Sequence, residues 1–339
     1  FGVRKPMIGA ILLCVTGAML FSSAQHFAVA SIARIFIGLG SAFAALSCLQ
    51  IAATWFPASR FAFLTGLLLT IGMLGQLIGE APLAMWLHYS SWHTIMFKFG
   101  IIGIVLCLCV ILLSQDPPNR AHKKNPKIPE LLKQCTQIFK DLNTWCLALY
   151  AMLMYTPFLI LSSLWGVPFL MSMAHTSQTQ AATILSYMLI GFAIGAPTLG
   201  WLADHIHRKK ILLITAATIN VVVLTMLIYL PHQPLAVTKL FLFLSGLTCS
   251  GFLPSFALMK EIQPPNIRAT ALGFMNTLNM LGAWFFLPII GLLLDHFWQH
   301  HFVGGVRFYD LHSYQIALTT CPLLVLLSIG ILLLAPKIK

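Results

Sequence analysis

The chain has 339 residues, of which 59% are hydrophobic and only 8% are charged. Soluble domains carry about 25% charged residues, so this composition argues against a soluble, nucleic-acid-binding or disordered protein. The formal net charge of +12 is better explained by membrane topology than by contact with nucleic acid.

Ten apolar runs are long enough to cross a membrane, since a spanning helix needs about 20 mostly apolar residues. They cover residues 7–23, 27–55, 61–86, 94–114, 144–171, 181–203, 211–230, 236–259, 270–294 and 313–335. Basic residues are concentrated in every second connection, as expected for cytoplasmic loops, and only Arg307 breaks this alternation. The sequence predicts an all-α integral membrane protein with both ends of this chain in the cytoplasm.

The span 27–55 contains an arginine followed by two glycines, Arg34, Gly38 and Gly40. An arginine within a membrane helix is costly and is usually paired. The two glycines are expected to thin one side of the helix, so that a neighbour can pack closely. Gln50, later in the same span, is a candidate substrate contact.

Glu80 is the only acid that lies well inside a predicted span, the run 61–86. Counting from the outer ends of their spans puts Arg34 roughly 11 Å deep and Glu80 roughly 9 Å deep. A lone charge at this depth costs several kcal/mol and a pair far less, so we expect an ion pair. Two interpretations stay open: a purely structural pair, or a pair in which Glu80 takes up a proton from the outer side.

Residues 115–142 form the one long polar stretch, and its apolar residues recur at helical spacing. The pattern predicts an amphipathic helix at the inner membrane surface. It divides the chain into a four-span bundle (1–114), a linker (115–142) and a six-span bundle (143–339).

In the second half, prolines and polar residues mark the candidate substrate cavity. Span 144–171 contains Tyr155 and Trp165 near prolines, which membrane helices use where they line cavities. Span 270–294 places Gly273, Asn276, Asn279 and Gly282 three residues apart, which predicts one shared side. The two amides need partners, either on another helix or on a substrate.

The loop Gly200–Lys210 reads Gly-Trp-Leu-Ala-Asp-His-Ile-His-Arg-Lys-Lys. It resembles the loop after the second helix of each half in the major facilitator superfamily, whose pattern is Gly-x-Leu-Ala-Asp-Arg-x-Gly-Arg-Arg. The residues that match are Gly200, Leu202, Ala203, Asp204 and Arg208, whereas His205 and His207 depart from the pattern. Arg34 with its glycines resembles a fourth-helix motif of the same family.

The resemblance also suggests how the start of the chain corresponds to this loop. Arg4 and Lys5 take the places of Lys209 and Lys210, so the chain is expected to begin inside a first copy of the loop. This implies ten of the family's twelve helices, in two pseudo-symmetric bundles, with a lateral opening where the second helix is missing. Gly200, Asp204 and Arg208, with Arg4 and Lys5, are then the expected conformational latch. Asp204 is predicted to contact the helix N-terminus at residues 58–64.

By resemblance, the chain is a secondary active transporter that works by alternating access. It would act as a monomer in the bacterial inner membrane and couple a small solute to protons as a symporter or antiporter. The solute class stays open among organic anions, inorganic anions and amino acids. The eight cysteines show no metal-binding spacing, so no metal or cofactor is expected. The alternatives are an inert fragment, a transporter-like sensor, or a membrane-embedded enzyme, which would need clustered polar groups at depth.

Overall fold

The computed structural model of the chain describes residues 4–55, 68, 71–72, 74–75, 78–79, 81–87, 89–113, 128–206, 208–230, 233–264, 267–299, 302–303, 306–307 and 309–335. Two compact units, Phe1–Lys124 and Asn125–Lys339, are described in turn. The described part of the first unit contains α1 (Arg4–Ser22), α2 (Phe27–Trp55), α3 (Ala81–Leu87) and α4 (Trp92–Leu113).

The second unit is helical apart from one short hairpin. Its described helices are α5 (Ile128–Lys140), α6 (Leu142–Ile160), α7 (Gly166–Ala174), α8 (Gln178–His205), α9 (Lys209–Tyr229), α10 (Leu235–Cys249), α11 (Leu253–Ile262), α12 (Arg268–His296), α13 (Leu311–Leu318) and α14 (Thr320–Leu333). A π-helical turn, Leu161–Trp165, joins α6 to α7, and a 3-10 turn, Ser250–Phe252, joins α10 to α11. Strands β1 (Phe302–Val303) and β2 (Val306–Arg307) pair antiparallel between α12 and α13.

The predicted all-α membrane architecture is confirmed. Among the described residues, eight helical stretches are long and apolar enough to cross a membrane. They are Arg4–Ser22, Trp92–Leu113, Leu142–Ala174, Gln178–Ala203, Lys209–Tyr229, Leu235–Ile262, Thr270–His296 and Leu311–Leu333. Each corresponds to one predicted run, and the predicted run 27–55 is the helix α2. Most of the run 61–86 falls outside the described residues.

Glycines set how closely α1 and α2 approach each other in the first unit. A side chain at Gly40 would clash with the carbonyl oxygen of Ala10. A Cβ atom at Gly17 would lie 2.7 Å from the carbonyl oxygen of Ala33. Gly38, in contrast, meets no described atom within 4 Å. The prediction that Gly38 and Gly40 thin the same side is therefore wrong for Gly38. Residues two apart in a helix point about 160° away from each other.

The first span of the second unit is not a continuous α-helix. The π-helical turn Leu161–Trp165 interrupts it, four residues after Pro157. A side chain at Gly166 would clash with the Leu161 carbonyl oxygen, so the turn needs glycine at this position. Such π-turns are often found at functional sites in membrane and soluble helices alike. The interruption lies between Pro157 and Pro168, the two prolines of this span.

Helices α8 and α10 meet backbone to backbone. A Cβ atom at Gly191 would clash with the Phe243 carbonyl oxygen, and one at Gly246 would clash with that of Met188. Gly195 lies one turn beyond Gly191, and its Cβ would come within 2.5 Å of α10 as well. Gly191 and Gly195 thus form one small-residue face of α8 that packs against α10.

The predicted polar stripe on α12 does not lie on one side of that helix. Asn279 is buried, and a side chain at Gly282 would clash with Thr156 of α6. Gly273 meets no described atom within 4 Å, and Asn276 is exposed. The prediction is wrong because three residues turn the helix by about 300°, so Gly273 and Gly282 point about 180° apart.

The predicted amphipathic helix is present as α5. Its last turn lies against α6 and α12 of the same unit, where the Phe139 ring contacts the rings of Trp145 and Phe274 at centroid distances of 6.0 and 5.4 Å. Thr270 of α12 donates a hydrogen bond of 2.8 Å to Gln134. These contacts anchor the end of α5 on α6 and α12.

The β1–β2 hairpin carries Arg307, the residue that breaks the alternation of basic loops. Its guanidinium lies 2.7 Å from the Asp295 carboxylate and 4.8 Å from the Trp298 ring centroid. Tyr309 donates a second hydrogen bond, of 2.6 Å, to Asp295. The one basic residue that breaks the loop alternation is thus paired with Asp295, and it remains an exception to the basic-loop pattern.

Candidate functional site

The loop Gly200–Lys210 connects α8 to α9, as the sequence predicts. Ala203 is buried, whereas Gly200 meets no described atom within 4 Å. The side chain of Asp204 and the whole of 58–64 lie outside the described residues. The contact between Asp204 and that helix N-terminus therefore stays a prediction.

The three basic residues at the end of this loop have three different environments. Arg208 is exposed, Lys209 forms an ion pair with Glu261 in the last turn of α11, and Lys210 donates a hydrogen bond of 3.2 Å to the Ala335 carbonyl. The start of α9 is thus attached to the ends of two other helices. Sequence reasoning placed Glu261 at a span end without giving it a partner.

The first unit repeats one of these contacts. Arg4, at the start of α1, donates a hydrogen bond to the Ile111 carbonyl in the last turn of α4, while Lys5 is exposed. Lys210 makes a similar contact with Ala335, beyond the end of α14. A cation at the carbonyl end of a helix is favourable, because the unpaired carbonyls there carry negative partial charge. Both loop copies therefore place a basic side chain at the end of another helix, although the sequence correspondence pairs Arg4 with Lys209 rather than with Lys210.

A polar network missed by sequence reasoning closes the end where α6, α11 and α12 meet. Thr144 and Gln263 each donate to the same oxygen of Asp141, both at 2.7 Å, and Asn143 donates to the other at 3.3 Å. Gln263 is only 5% exposed, and its backbone carbonyl accepts from Arg268. Burial raises the pKa of Asp141, but the hydrogen bonds from Thr144, Gln263 and Asn143 outweigh it and hold this pKa below its usual value.

We expect this network to make stability depend on pH. A carboxyl whose folded-state pKa is lowered stabilises the fold above its unfolded pKa and loses that effect as pH falls through the folded value. The melting temperature of the wild type in detergent should therefore exceed that of Asp141→Asn above about pH 5, and the gap should shrink toward about pH 3. A difference in melting temperature that stays constant or widens as the pH falls would contradict the role assigned to the network.

Tyr155 lies at the edge of an aromatic cluster contributed by three elements of the second unit. Its ring centroid is 4.5 Å from Phe252 of the 3-10 turn, 5.5 Å from Phe158 and 6.0 Å from Phe192 of α8. The ring is half-buried, and its hydroxyl has no partner in the described part of the chain. A free hydroxyl beside aromatic faces can orient a small solute.

Trp165, the second predicted aromatic contact, uses its polar group within the fold. Its indole N–H donates a hydrogen bond of 3.2 Å to the Leu287 carbonyl of α12. Gly291 leaves room for the ring, since a Cβ there would come within 3.3 Å of it. The structure thus attaches the π-helical turn to α12 through Trp165.

The two predicted amides on α12 differ in environment. Asn279 is 2% exposed, and its carbonyl oxygen has no hydrogen-bond partner among the described residues, whereas Asn276 is exposed. Asn279 lies about 16 Å along the helix from Arg268, near the middle of the span. An unpaired carbonyl at this depth is costly, so Asn279 has the greater need for a bound partner. The side chain of Gln50 lies outside the described residues.

Arg34, the predicted partner of Glu80, contacts an aromatic ring. Its guanidinium carbon is 4.8 Å from the centroid of Phe21, which in turn packs edge-on against Trp92. Glu80 lies outside the described residues, so the ion pair stays a prediction.

Two further basic residues lie inside predicted spans, so the pattern of basic loops does not reveal them. Lys98 lies 5.1 Å from the Trp86 ring centroid, and Lys239 lies 5.2 Å from that of Tyr187. Both fall inside predicted apolar runs, which is the signal that could have identified them.

Comparison with known proteins gives a family match for both halves of the chain. The family model described as Major Facilitator Superfamily matches residues 1–173 and again residues 147–337. The comparison with curated proteins found no match.

Solved structures show the same fold. A bacterial homolog to the human lysosomal transporter Spinster, inward-facing and unoccupied, superposes with a TM-score of 0.77 at 15% identity over 99% of this chain and 83% of that one. The nucleoside transporter NupG gives 0.72 at 11% identity over 98% and 84%. The E. coli fucose:proton symporter FucP gives 0.61 at 14% identity over 99% and 84%.

Proposed function

This chain belongs to the Major Facilitator Superfamily and is a membrane transporter rather than an enzyme, and we propose that it carries a small solute by alternating access with protons as the coupling ion. The observation that supports this proposal best is the repeated basic contact, Arg4 with Ile111 and Lys210 with Ala335. In the first unit this contact connects α1 to α4, the first and last described helices. In the second unit it connects the start of α9 to Ala335, which follows α14. A bundle whose helices are attached to each other in this way can move as a rigid body, as the rocking of two bundles requires.

We assign the conformational latch to the two loop copies. Gly200, Asp204 and Arg208 form it in the second half, and Arg4 and Lys5 form it in the first. Residues 115–142 link the bundles 1–114 and 143–339. The basic loops and both ends of the chain lie in the cytoplasm of a bacterium, and the chain acts as a monomer in its inner membrane.

The substrate cavity includes the groups of the second unit with unused hydrogen-bonding capacity. Tyr155 offers a hydroxyl beside aromatic rings, and Asn279 offers a buried carbonyl oxygen. Gln50, Trp165 and Asn276 complete the proposed lining. The solute is a small organic or inorganic anion or an amino acid. Proton coupling is also stated in the name of one structural neighbour, a fucose:proton symporter.

Transport by the purified chain in liposomes tests this proposal. With the lumen made alkaline, radiolabelled anions and amino acids are offered singly, and one class is expected to accumulate above its external concentration. A protonophore should abolish accumulation but leave exchange of labelled for unlabelled solute intact. Binding of a solute without exchange would indicate a transporter-like sensor, and neither binding nor exchange would indicate an inert chain. Accumulation that survives the protonophore would contradict proton coupling.

A further inference from the structure

Lys98 is a cation without an acidic partner near one end of a membrane span. It is the seventh residue of α4, about 9 Å along the helix from Trp92. In the described part of the chain, ion pairs join Lys209 to Glu261 and Arg307 to Asp295, and no carboxylate pairs with Lys98. Its ammonium group instead lies over the ring of Trp86, an aromatic type enriched at the membrane–water boundary.

Below Lys98 the same face of α4 is apolar and exposed. Ile102, Val105, Cys109 and Leu112 follow at steps of three or four residues, within about 40° of Lys98 around the helix. Ile102 is 50% exposed, Val105 53% and Leu112 78%, and Cys109 is exposed as well.

The opposite face of α4 is the one used for packing within the unit. Cys107 is buried, and side chains at Gly100 and Gly103 would clash with Met19 and Val15 of α1. Among the described residues, the packing contacts of α4 with α1 therefore lie away from the Lys98 face.

We propose that Lys98, Trp86 and the apolar stripe Ile102–Val105–Cys109–Leu112 bind an anionic phospholipid. The ammonium group attracts the headgroup phosphate, and the long lysine side chain can reach that level from inside the span. The stripe lies along an acyl chain. A soluble anion would make no use of the stripe, and a zwitterionic lipid would leave the charge of Lys98 uncompensated.

Lys239 provides a matched control within the same chain. It is also embedded in a span and also lies over an aromatic ring, that of Tyr187. The face below it, however, is occupied, because Gly246 lies against the Met188 backbone of α8 and Ser250 is buried. Lys239 therefore supplies a positive charge without an exposed apolar stripe below it, so it should not bind a lipid.

Native mass spectrometry of the full chain in detergent tests the proposal, with phosphatidylglycerol and phosphatidylcholine of identical acyl chains supplied in equal amounts. The wild type should retain phosphatidylglycerol preferentially. Lys98→Gln should weaken this binding about fivefold, as expected for one basic group near an anionic headgroup. Lys98→Arg should keep it, and Lys239→Gln should leave it unchanged.

Three results would overturn the assignment. They are equal retention by the wild type and Lys98→Gln, an equal loss in Lys239→Gln, and a lipid-free dimer that Lys98→Gln dissociates. Displacement of the lipid by excess inorganic phosphate would show that the site recognises a free anion instead.

Discussion

Replacing Gly246 with alanine is expected to destabilise the second unit severely. The added Cβ would lie closer than 3.0 Å to the Met188 carbonyl oxygen and to the Phe192 backbone nitrogen of α8. Backbone atoms cannot move aside as a side chain can, so α8 and α10 would have to separate. The contacts at Gly191 and Gly195 would open with them. We expect a loss of about 3 kcal/mol, at the upper end of the usual cost of overpacking.

Gly273→Ala is the control for this prediction, since it makes the same chemical change inside a span of the same unit. A Cβ at Gly273 meets no described atom within 4 Å. Alanine is also the better helix former by about 1 kcal/mol, so this variant should be neutral or slightly more stable. Thermal unfolding in detergent should therefore shift in opposite directions for the two variants. A similar melting temperature for both would mean that the α8–α10 contact is not a close one.

The spans could be predicted from the sequence because length and apolar composition are local properties. The Asp/basic loop was found for the same reason, since its spacing lies within eleven residues. The partners of polar side chains could not be predicted, because they lie on different helices. Glu261 meets Lys209 across 52 positions and Gln263 meets Asp141 across 122, with no local signal for either contact.

Errors of the sequence analysis came from treating helix spacing too loosely. Gly38 and Gly40 cannot share one side of α2 because they are two residues apart, and residues three apart on α12 cannot form a straight stripe because such steps wind around a helix. Lys98 and Lys239 were missed because only loop residues were counted. Each of these could have been corrected by projecting the sequence on an ideal helix.

Replacing Glu80 with glutamine is expected to abolish proton-driven uptake. Of the eight acidic residues, Glu80 is the one placed well inside a predicted span. The guanidinium of Arg34 lies beside Phe21, and the chain's described carboxylates pair with other groups. We infer that Glu80 alternates between Arg34 and a proton. A charged carboxyl in a membrane is costly when its partner moves away, which favours uptake of a proton at that step.

Glutamine keeps the shape and hydrogen-bonding capacity of Glu80 but cannot exchange a proton. Solute accumulation driven by a pH gradient should be lost, so that the internal concentration no longer rises above the external one. Exchange of labelled for unlabelled solute should continue, because it needs the cavity and the rocking motion but no net proton movement. Both rates are measured on the same liposomes.

Asp310→Asn is the matched control, because it also converts a carboxylate to an amide. Asp310 caps the start of α13, a role that asparagine fills equally well. This variant should keep both driven uptake and exchange. If Glu80→Gln still accumulates solute against its gradient, Glu80 is a structural partner of Arg34 and the proton enters elsewhere. If it loses exchange as well, the carboxyl group of Glu80 is needed for binding the solute or for the rocking motion itself, and its role is not limited to proton coupling.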